Sequence, residues 1–146
     1  MSNKRIPELI LIRGLPGSGK TTYAINNFPW YFHYETDMFF ENDRGDYIFD
    51  SSKLSEYHKK CFDKMVHAMN DIAAGLTRVW DGVTVANTFS RIWEMQKYID
   101  FCKNNNYKFR VIRLNTQYGN VHNVPKNTIL NMKNRFEKFI GEKEIY

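Results

Sequence analysis

The chain is poor in cysteine: its 146 residues include only Cys61 and Cys102. The two are far apart and neither belongs to a Cys-x-x-Cys or Cys/His pattern, which argues against a disulfide framework or a zinc site. His33, His58 and His67 add no ligand pattern. His58 falls on the apolar face of a predicted helix, where packing is the simpler interpretation. We therefore expect two ordinary thiols and no zinc.

Long apolar runs are also missing. The apolar stretch near the N-terminus ends at Arg13, well short of the about 20 residues that a membrane-spanning helix needs. It also lacks the character of a secretory signal. We expect no membrane partner and a location in the cytoplasm.

What the chain does contain is enough apolar and aromatic material for a packed interior. Hydrophobic residues make up 42% and aromatic residues 16%, which excludes a disordered or fibrous protein. The length fits a single domain, residues 1–146. The formal charge of +5 suits anionic ligands such as nucleotides or nucleic acid, although a solubilising excess of surface lysine explains it equally well.

Short apolar runs alternate with longer amphipathic segments along the chain. Strands are predicted at 8–13, 30–35, 79–86 and 107–114. Helices are predicted at 20–27, from Ser51 or Ser52 to Gly75, from a Ser90 cap to about 102, and over a final segment with Ile129, Met132, Phe136 and Phe139 in register. This order indicates an α/β protein with a parallel β-sheet of about five strands flanked by helices.

One motif stands between the first predicted strand and the first predicted helix. Residues 14–21 read Gly-Leu-Pro-Gly-Ser-Gly-Lys-Thr, a glycine loop whose backbone N–H groups make a nest for phosphate. Lys20 adds a charge that reaches the β- and γ-phosphates, and Thr21 offers a hydroxyl to magnesium. The residues predicted to bind the nucleotide are Gly14, Leu15, Pro16, Gly17, Ser18, Gly19, Lys20, Thr21 and Thr22. Together with the order of strands and helices, this motif predicts a P-loop NTPase fold, and ATP and Mg²⁺ are the cofactors that it predicts.

Transfer of a phosphoryl group also needs a residue that orients or deprotonates the incoming hydroxyl. Asp37, at the end of the predicted second strand, is the candidate, with a helix cap or turn residue as the structural alternative. Cations that close over the developing charge would come from a lid. The candidates are Arg91, Arg113, Arg135, His122 and Lys126. Each of these residues has a surface charge as its alternative.

Six segments together resemble a known family: 10–22, 35–40, 45–49, 83–95, 120–125 and 132–137. They are similar to the corresponding motifs of the polynucleotide-kinase-like P-loop family, which includes the NEDD4-binding-protein-2-like proteins and many small phage kinases. The resemblance covers nearly the whole chain, and several of its motifs are more specific than the phosphate loop alone.

The resemblance implies an ATP-dependent kinase related to the 5′-hydroxyl polynucleotide kinases, in a host cytoplasm if the chain is phage-encoded. It assigns Lys20 to ATP, Thr21 and Asp37 to the metal, and Asp37 also to activation of the acceptor. Asn87 and Thr88 would help the acceptor or the metal shell. Residues 120–125 would form part of a lid, with Arg135 behind it.

Three positions depart from the family pattern. Ala86 stands where many relatives have an aspartate, so the usual Walker B carboxylate is missing and the metal would rely on Thr21, Asp37 and phosphate oxygens. Met38 stands where a second acidic residue often follows Asp37, and no arginine immediately precedes Asn120.

Three functions compete on these grounds. The first is a kinase for a nucleic-acid hydroxyl, either a 5′ end or a hydroxymethylated base in DNA. Aromatic residues near Asp37 either stack on bases or pack internally: Trp30, Tyr31, Tyr34, Phe39 and Phe40. The second is a kinase for nucleosides or nucleotides. The third is a nucleotide-binding interaction module without transferase activity. This alternative is suggested by Ala86, which replaces the usual Walker B carboxylate. The sequence leaves the oligomeric state undetermined.

Overall fold

The computed structural model describes residues 5–118 and 124–146 and contains five strands and four α-helices within them. The strands are β1 (Glu8–Gly14), β2 (Tyr31–Tyr34), β3 (Gly82–Asn87), β4 (Lys108–Leu114) and β5 (Lys143–Ile145). The helices are α1 (Lys20–Asn27), α2 (Leu54–Ala73), α3 (Trp93–Asn105) and α4 (Lys126–Asn134). Two 3₁₀ turns lie at Thr36–Phe40 and Ser51–Lys53.

All five strands are parallel and lie in the order β2-β3-β1-β4-β5. The central strand β1 is buried on both faces because its alternate side chains point to opposite sides of the sheet. Leu9 and Leu11 pack with residues of α2 and α3, whereas Ile10 and Ile12 pack with Ala24 of α1. The predicted α/β fold with a parallel sheet of about five strands is confirmed.

The structure differs from the predicted elements at three points. The third strand begins at Gly82 and not at 79; a β-carbon at Gly82 would meet the carbonyl oxygen of Glu8 on the neighbouring strand, so only glycine allows this start. Asp37 lies in a 3₁₀ turn after β2. Strand β5 has only the three residues Lys-Glu-Ile, which show no apolar run to predict it.

The predicted final helix is too long. It ends at Asn134, and Phe136 and Phe139 lie beyond it. Their spacing matches a helix by coincidence, because the ring of Phe136 is held by two arginine side chains of the sheet. The predicted serines do not cap their helices. Helix α3 begins at Trp93, three residues after Ser90, and α2 begins at Leu54, after Ser51 and Ser52.

Within residues 5–118 and 124–146, no helix has the length and apolar character of a membrane span. Cys61 and Cys102 are both buried and form no disulfide.

Candidate phosphate-binding and transfer site

The glycine loop joins the end of β1 to the start of α1. Gly17 and Gly19 have φ angles of 84° and 87°, a region that side chains with a β-carbon rarely adopt. Gly19 is the residue immediately before α1, so the loop delivers the chain directly to a helix N-terminus. Next to it, the buried side chain of Ser18 lies against Gly14.

Lys20 is turned back onto this loop. Its Nζ donates hydrogen bonds to the carbonyl oxygens of Gly14 at 3.0 Å and Leu15 at 3.1 Å. Burial lowers the pKa of Lys20 to about 8, against the opposing charges of Glu35 and Asp37. The ammonium group is therefore poorly solvated, and an anion in the loop would stabilise its charge.

Thr21 donates its hydroxyl proton to a carboxylate. The distance from Thr21 Oγ1 to Glu35 Oε2 is 2.7 Å, and His33 Nε2 lies 2.9 Å from the same oxygen. Burial by itself would raise the pKa of Glu35, but the hydrogen bonds from His33 and Thr21 and the charges of His33 and Lys20 outweigh it, so the pKa is lowered. Glu35 is therefore held as a carboxylate beside the phosphate loop.

Sequence reasoning gave Glu35 no role, although it lies two residues before Asp37 in a motif that the resemblance rests on. The missed signal is the spacing of these two acids around the end of β2. Because Glu35 comes directly after β2 and Asp37 lies in the following turn, both carboxylates reach the same edge of the sheet.

Asp37 lies on an anchored turn. Asn87, at the end of β3, accepts a hydrogen bond from the backbone N–H of Thr36 at 2.9 Å, and Thr36 Oγ1 lies 3.0 Å from His58 Nδ1. The hydroxyl of Tyr47 is 3.5 Å from Asp37 Oδ1. Burial, together with the negative charge of Asp37, raises the pKa of Tyr47 to about 12. Asn87 thus positions the turn that carries Asp37.

A cleft of about 640 Å³ opens over these residues. Its walls come from the glycine loop, the turn after β2, the end of β3 and the inner face of α4. Predicted site residues that line it are Pro16, Gly17, Gly19, Lys20, Thr21, Thr22, Asp37, Asn87, Thr88 and Arg135. Further lining residues that sequence reasoning did not assign to the site include Glu35, Tyr47, Phe49, His58, Thr128 and Met132. Ala86 lines the cleft and brings no carboxylate.

Two of the predicted cations lie elsewhere. The guanidinium of Arg113 stacks on the ring of Phe136 at 4.4 Å and lies 4.0 Å from Glu144. The physical reason is strand register: Arg113 is paired with Arg13 of β1, so both side chains leave the same face of the sheet and meet Phe136. Arg91 lies 3.9 Å from Glu137 on the surface. Neither residue lines the cleft.

The remaining cationic candidates divide by position. Arg135 follows the last residue of α4 and lines the cleft. Lys126 is the first residue of α4 and is exposed. His122, like most of the predicted lid segment 120–125, lies outside the described residues.

The aromatic residues that the sequence offered as base-stacking candidates are not among the residues that line the cleft. Phe40 is buried, with its ring 4.7 Å from that of Tyr57, and Tyr34 and Phe39 pack against the main core. Tyr31 packs edge-on against Phe28, and Trp30 is exposed away from the site. Tyr47 and Phe49 are the aromatic residues that line the cleft.

A parallel strand, a glycine loop with its lysine and threonine, and a helix that begins at the loop define a kinase-like P-loop protein. The chain belongs to the family described as AAA domain, whose profile matches residues 9–139. This match agrees with the resemblance of the sequence motifs to the polynucleotide-kinase-like P-loop family.

Human NEDD4-binding protein 2 is 27% identical over 153 aligned residues, which cover 91% of this chain and 8% of that protein. A chain of the Pnkp1/Rnl/Hen1 RNA repair complex superposes with a TM-score of 0.57 at 18% identity, over 93% of this chain and 40% of that one. A gluconokinase from Sinorhizobium meliloti 1021 superposes with a TM-score of 0.60 at 14% identity, over 97% and 83% of the two chains. The chain thus spans less than half of the first two relatives, and the structural matches show the fold.

Proposed function

We propose that the protein is an ATP-dependent kinase that transfers the γ-phosphoryl group to a hydroxyl of a nucleic acid, either a polynucleotide 5′-hydroxyl or a hydroxymethylated base in DNA. The observation that carries this proposal is that one cleft is lined by Lys20 and Thr21 of the loop, by Asp37 and by Arg135.

In this proposal Asp37 acts as the general base. Its carboxylate accepts the proton of the acceptor hydroxyl as that oxygen bonds to the γ-phosphorus, and the bond from this phosphorus to the β-bridging oxygen breaks to leave ADP. Lys20 and Arg135 stabilise the negative charge that shifts toward the β-phosphate. Asn87 keeps Asp37 in place through its hydrogen bond to Thr36.

The residues of the loop fit a nucleotide with magnesium. Lys20 Nζ has only neutral carbonyl oxygens as hydrogen-bond acceptors in the loop, and phosphate oxygens are stronger acceptors for an ammonium group. The Thr21 hydroxyl and the nearby carboxylates are oxygen ligands of the kind that Mg²⁺ prefers. When bound, the ion would neutralise charge on the β- and γ-phosphate oxygens. Asp37 was assigned to this ion by the resemblance.

The acceptor side of the cleft supports a nucleic-acid substrate. The exposed ring of Phe49 and the half-buried ring of Tyr47 lie on the side of the cleft that holds Asp37, and aromatic rings offer stacking surfaces to bases. The formal charge of +5 favours a polyanion in general.

The experiment is transfer of label from γ-labelled ATP to a panel of acceptors: 5′-hydroxyl DNA, 5′-hydroxyl RNA, hydroxymethyluracil DNA and free nucleosides. We expect the wild type to label a nucleic acid. The Asp37→Asn variant should bind ATP normally and lose transfer by roughly 10²- to 10⁴-fold, because it keeps the shape and removes the proton acceptor.

The control variant is Asp63→Asn, which changes an exposed carboxylate of α2 that is paired with Lys59; it should transfer at the wild-type rate. Full turnover by Asp37→Asn would remove Asp37 from the mechanism. Labelling of nucleosides alone would favour the small-molecule kinase. Intact nucleotide binding with no labelled acceptor would favour the inactive module.

A further inference from the structure

The end of β3 lacks the acid that the metal site of a P-loop protein ordinarily uses. Ala86 lies there with a methyl group, 2% exposed, and its neighbour Asn87 is engaged with the backbone of Thr36. A magnesium ion beside the phosphates would still need a negative group near the Thr21 hydroxyl, because the ion binds through oxygen ligands and ordered water.

The structure provides such a group directly after the neighbouring strand β2. Thr21 Oγ1 donates its proton to Glu35 Oε2 at 2.7 Å. A hydroxyl that gives its proton to a carboxylate keeps its lone pairs for a cation, and the negative charge beside it increases the basicity of that oxygen. The pair Thr21–Glu35 therefore has the arrangement of a metal ligand and the acid that supports it.

The position of Glu35 is itself fixed by β3. His33 Nε2 lies 2.9 Å from Glu35 Oε2, and because a carboxylate only accepts, the histidine is the donor. The other ring nitrogen of His33 lies 2.8 Å from Thr84 Oγ1, two residues before Ala86. The half-buried imidazole ring of His33 thus connects β3, which has no acid at its end, to Glu35, the acid that follows β2.

We propose that Glu35 is the acid of the magnesium site, in place of the carboxylate absent at Ala86. Thr21 would bind the ion, and Glu35 would accept hydrogen bonds from the Thr21 hydroxyl and from water on the ion. His33 is a positioning residue for Glu35. This inference rests on the proposed nucleotide-dependent function and deepens it.

The proposal separates the roles of the two acids in the turn after β2. Asp37 Oδ1 is in contact with the hydroxyl of Tyr47, on the acceptor side, whereas Glu35 is bonded to Thr21, on the phosphate side. Asp37 is then the base for the acceptor, and the earlier assignment of Asp37 to the metal passes to Glu35.

The test measures how Mg²⁺ tightens the binding of ADP, by titrating a fluorescent ADP analogue at increasing Mg²⁺ and in EDTA. The variant is Glu35→Gln, which keeps the size and one acceptor oxygen for Thr21. Its affinity in EDTA should equal or exceed that of the wild type, since one negative charge near the phosphates is gone. The Mg²⁺ concentration for half-maximal tightening should rise roughly 10- to 100-fold.

Two further variants complete the design. Glu56→Gln, at an exposed glutamate of α2, is the matched control and should leave the Mg²⁺ midpoint unchanged. Ala86→Asp added to Glu35→Gln should bring the midpoint back toward the wild-type value, because it restores an acid at the end of β3.

An unchanged midpoint in Glu35→Gln would overturn the proposal, as would a shift caused by Asp37→Asn instead. If Glu35→Gln does not fold, the proposal is tested on the wild-type protein with Mn²⁺ and ADP bound and with all glutamate carboxyl carbons labelled with ¹³C. Electron–nuclear double resonance should then show a coupling between manganese and a labelled carbon. The absence of this coupling would overturn the proposal. If the Mg²⁺ midpoint depends on Glu35 but the protein labels no hydroxyl, this inference stands and the kinase proposal fails.

Discussion

At Lys20, burial and two carboxylates act on one ammonium group in opposite directions. Burial is the larger effect and lowers the pKa to about 8, while Glu35 and Asp37 resist the change. The group is therefore close to losing its proton in the nucleotide-free protein at mildly alkaline pH. A bound polyphosphate would raise the pKa again, so binding and protonation of Lys20 are coupled.

This coupling predicts how nucleotide affinity depends on pH. Affinity should be nearly constant between pH 7 and 7.5 and should fall above pH 8, by up to about tenfold per pH unit, because binding then requires uptake of a proton by Lys20. Isothermal titration calorimetry of ADP in two buffers with different ionisation enthalpies measures that uptake directly. The control is Lys20→Arg, whose guanidinium stays charged, so its affinity should not fall in this range. A wild-type affinity that is flat up to pH 9 would contradict the assignment.

At the scale of elements, α4 depends on the segment that follows it. None of its residues is buried, yet it forms one wall of the cleft. Phe136, just beyond α4, packs between the guanidinium groups of Arg13 and Arg113, each 4.4 Å from the ring centre. Arg13 Nη1 also bonds to Glu142 at 3.0 Å, with both side chains almost completely buried. The same arginine bonds to the carbonyl oxygen of Phe89, so this group of contacts joins β1, the turn after β3 and the C-terminal segment.

The buried pair Arg13–Glu142 predicts a large change in stability. Glu142→Gln should lower the free energy of unfolding by about 3–5 kcal/mol, because it leaves the Arg13 charge buried without its partner. The double variant Arg13→Met with Glu142→Met should lose less than Glu142→Gln alone. Urea unfolding followed by circular dichroism measures these differences. Glu144→Gln, at a partly exposed pair 4.0 Å from Arg113, is the control and should cost less than about 1 kcal/mol. Equal losses in both single variants would show that burial of the pair is unimportant.

At the scale of the whole molecule, one ligand would connect elements that are distant in the chain. The glycine loop, the turn after β2, the end of β3 and α4 all line the same cleft. The sheet places the first three together, because the carboxyl ends of parallel strands share an edge. A nucleotide bound there would stabilise the folded state in which these parts coincide, and it would have no such site in the unfolded chain.

Thermal unfolding should therefore respond to nucleotide. At a concentration of about 100 times Kd, a ligand stabilises the folded protein by about 2.7 kcal/mol, which corresponds to a rise in Tm of roughly 5–10 °C for a domain of this size. Differential scanning fluorimetry with ADP and Mg²⁺ checks the shift. At the same ligand concentration, Lys20→Ala should show little or none of it. An equal shift in that variant would mean that the stabilising site is not the glycine loop.

Much of the fold can be predicted from local sequence patterns, which involve residues close together in the chain. The apolar run of β1, the loop of residues 14–21 and the helix after it are recognisable because each depends on contacts within a few residues. The sheet class followed from the alternation of such units. Strand β5 could not be predicted, because its three residues become a strand only by pairing with β4. The predicted extension of α4 was wrong for the same reason: Phe136 follows the helical spacing but is held by arginines of β1 and β4.

The sequence by itself determined the glycine loop and the place of Lys20 in it, since backbone freedom at Gly17 and Gly19 and the charge of Lys20 are properties of those residues. Only the tertiary structure decided which side chains share the cleft. Strand register turned Arg113 toward Phe136 and away from the site, and the adjacency of β2 and β3 let His33 hold Glu35 against Thr21. Such pairings depend on distances between segments far apart in the chain, which no local pattern of residues encodes.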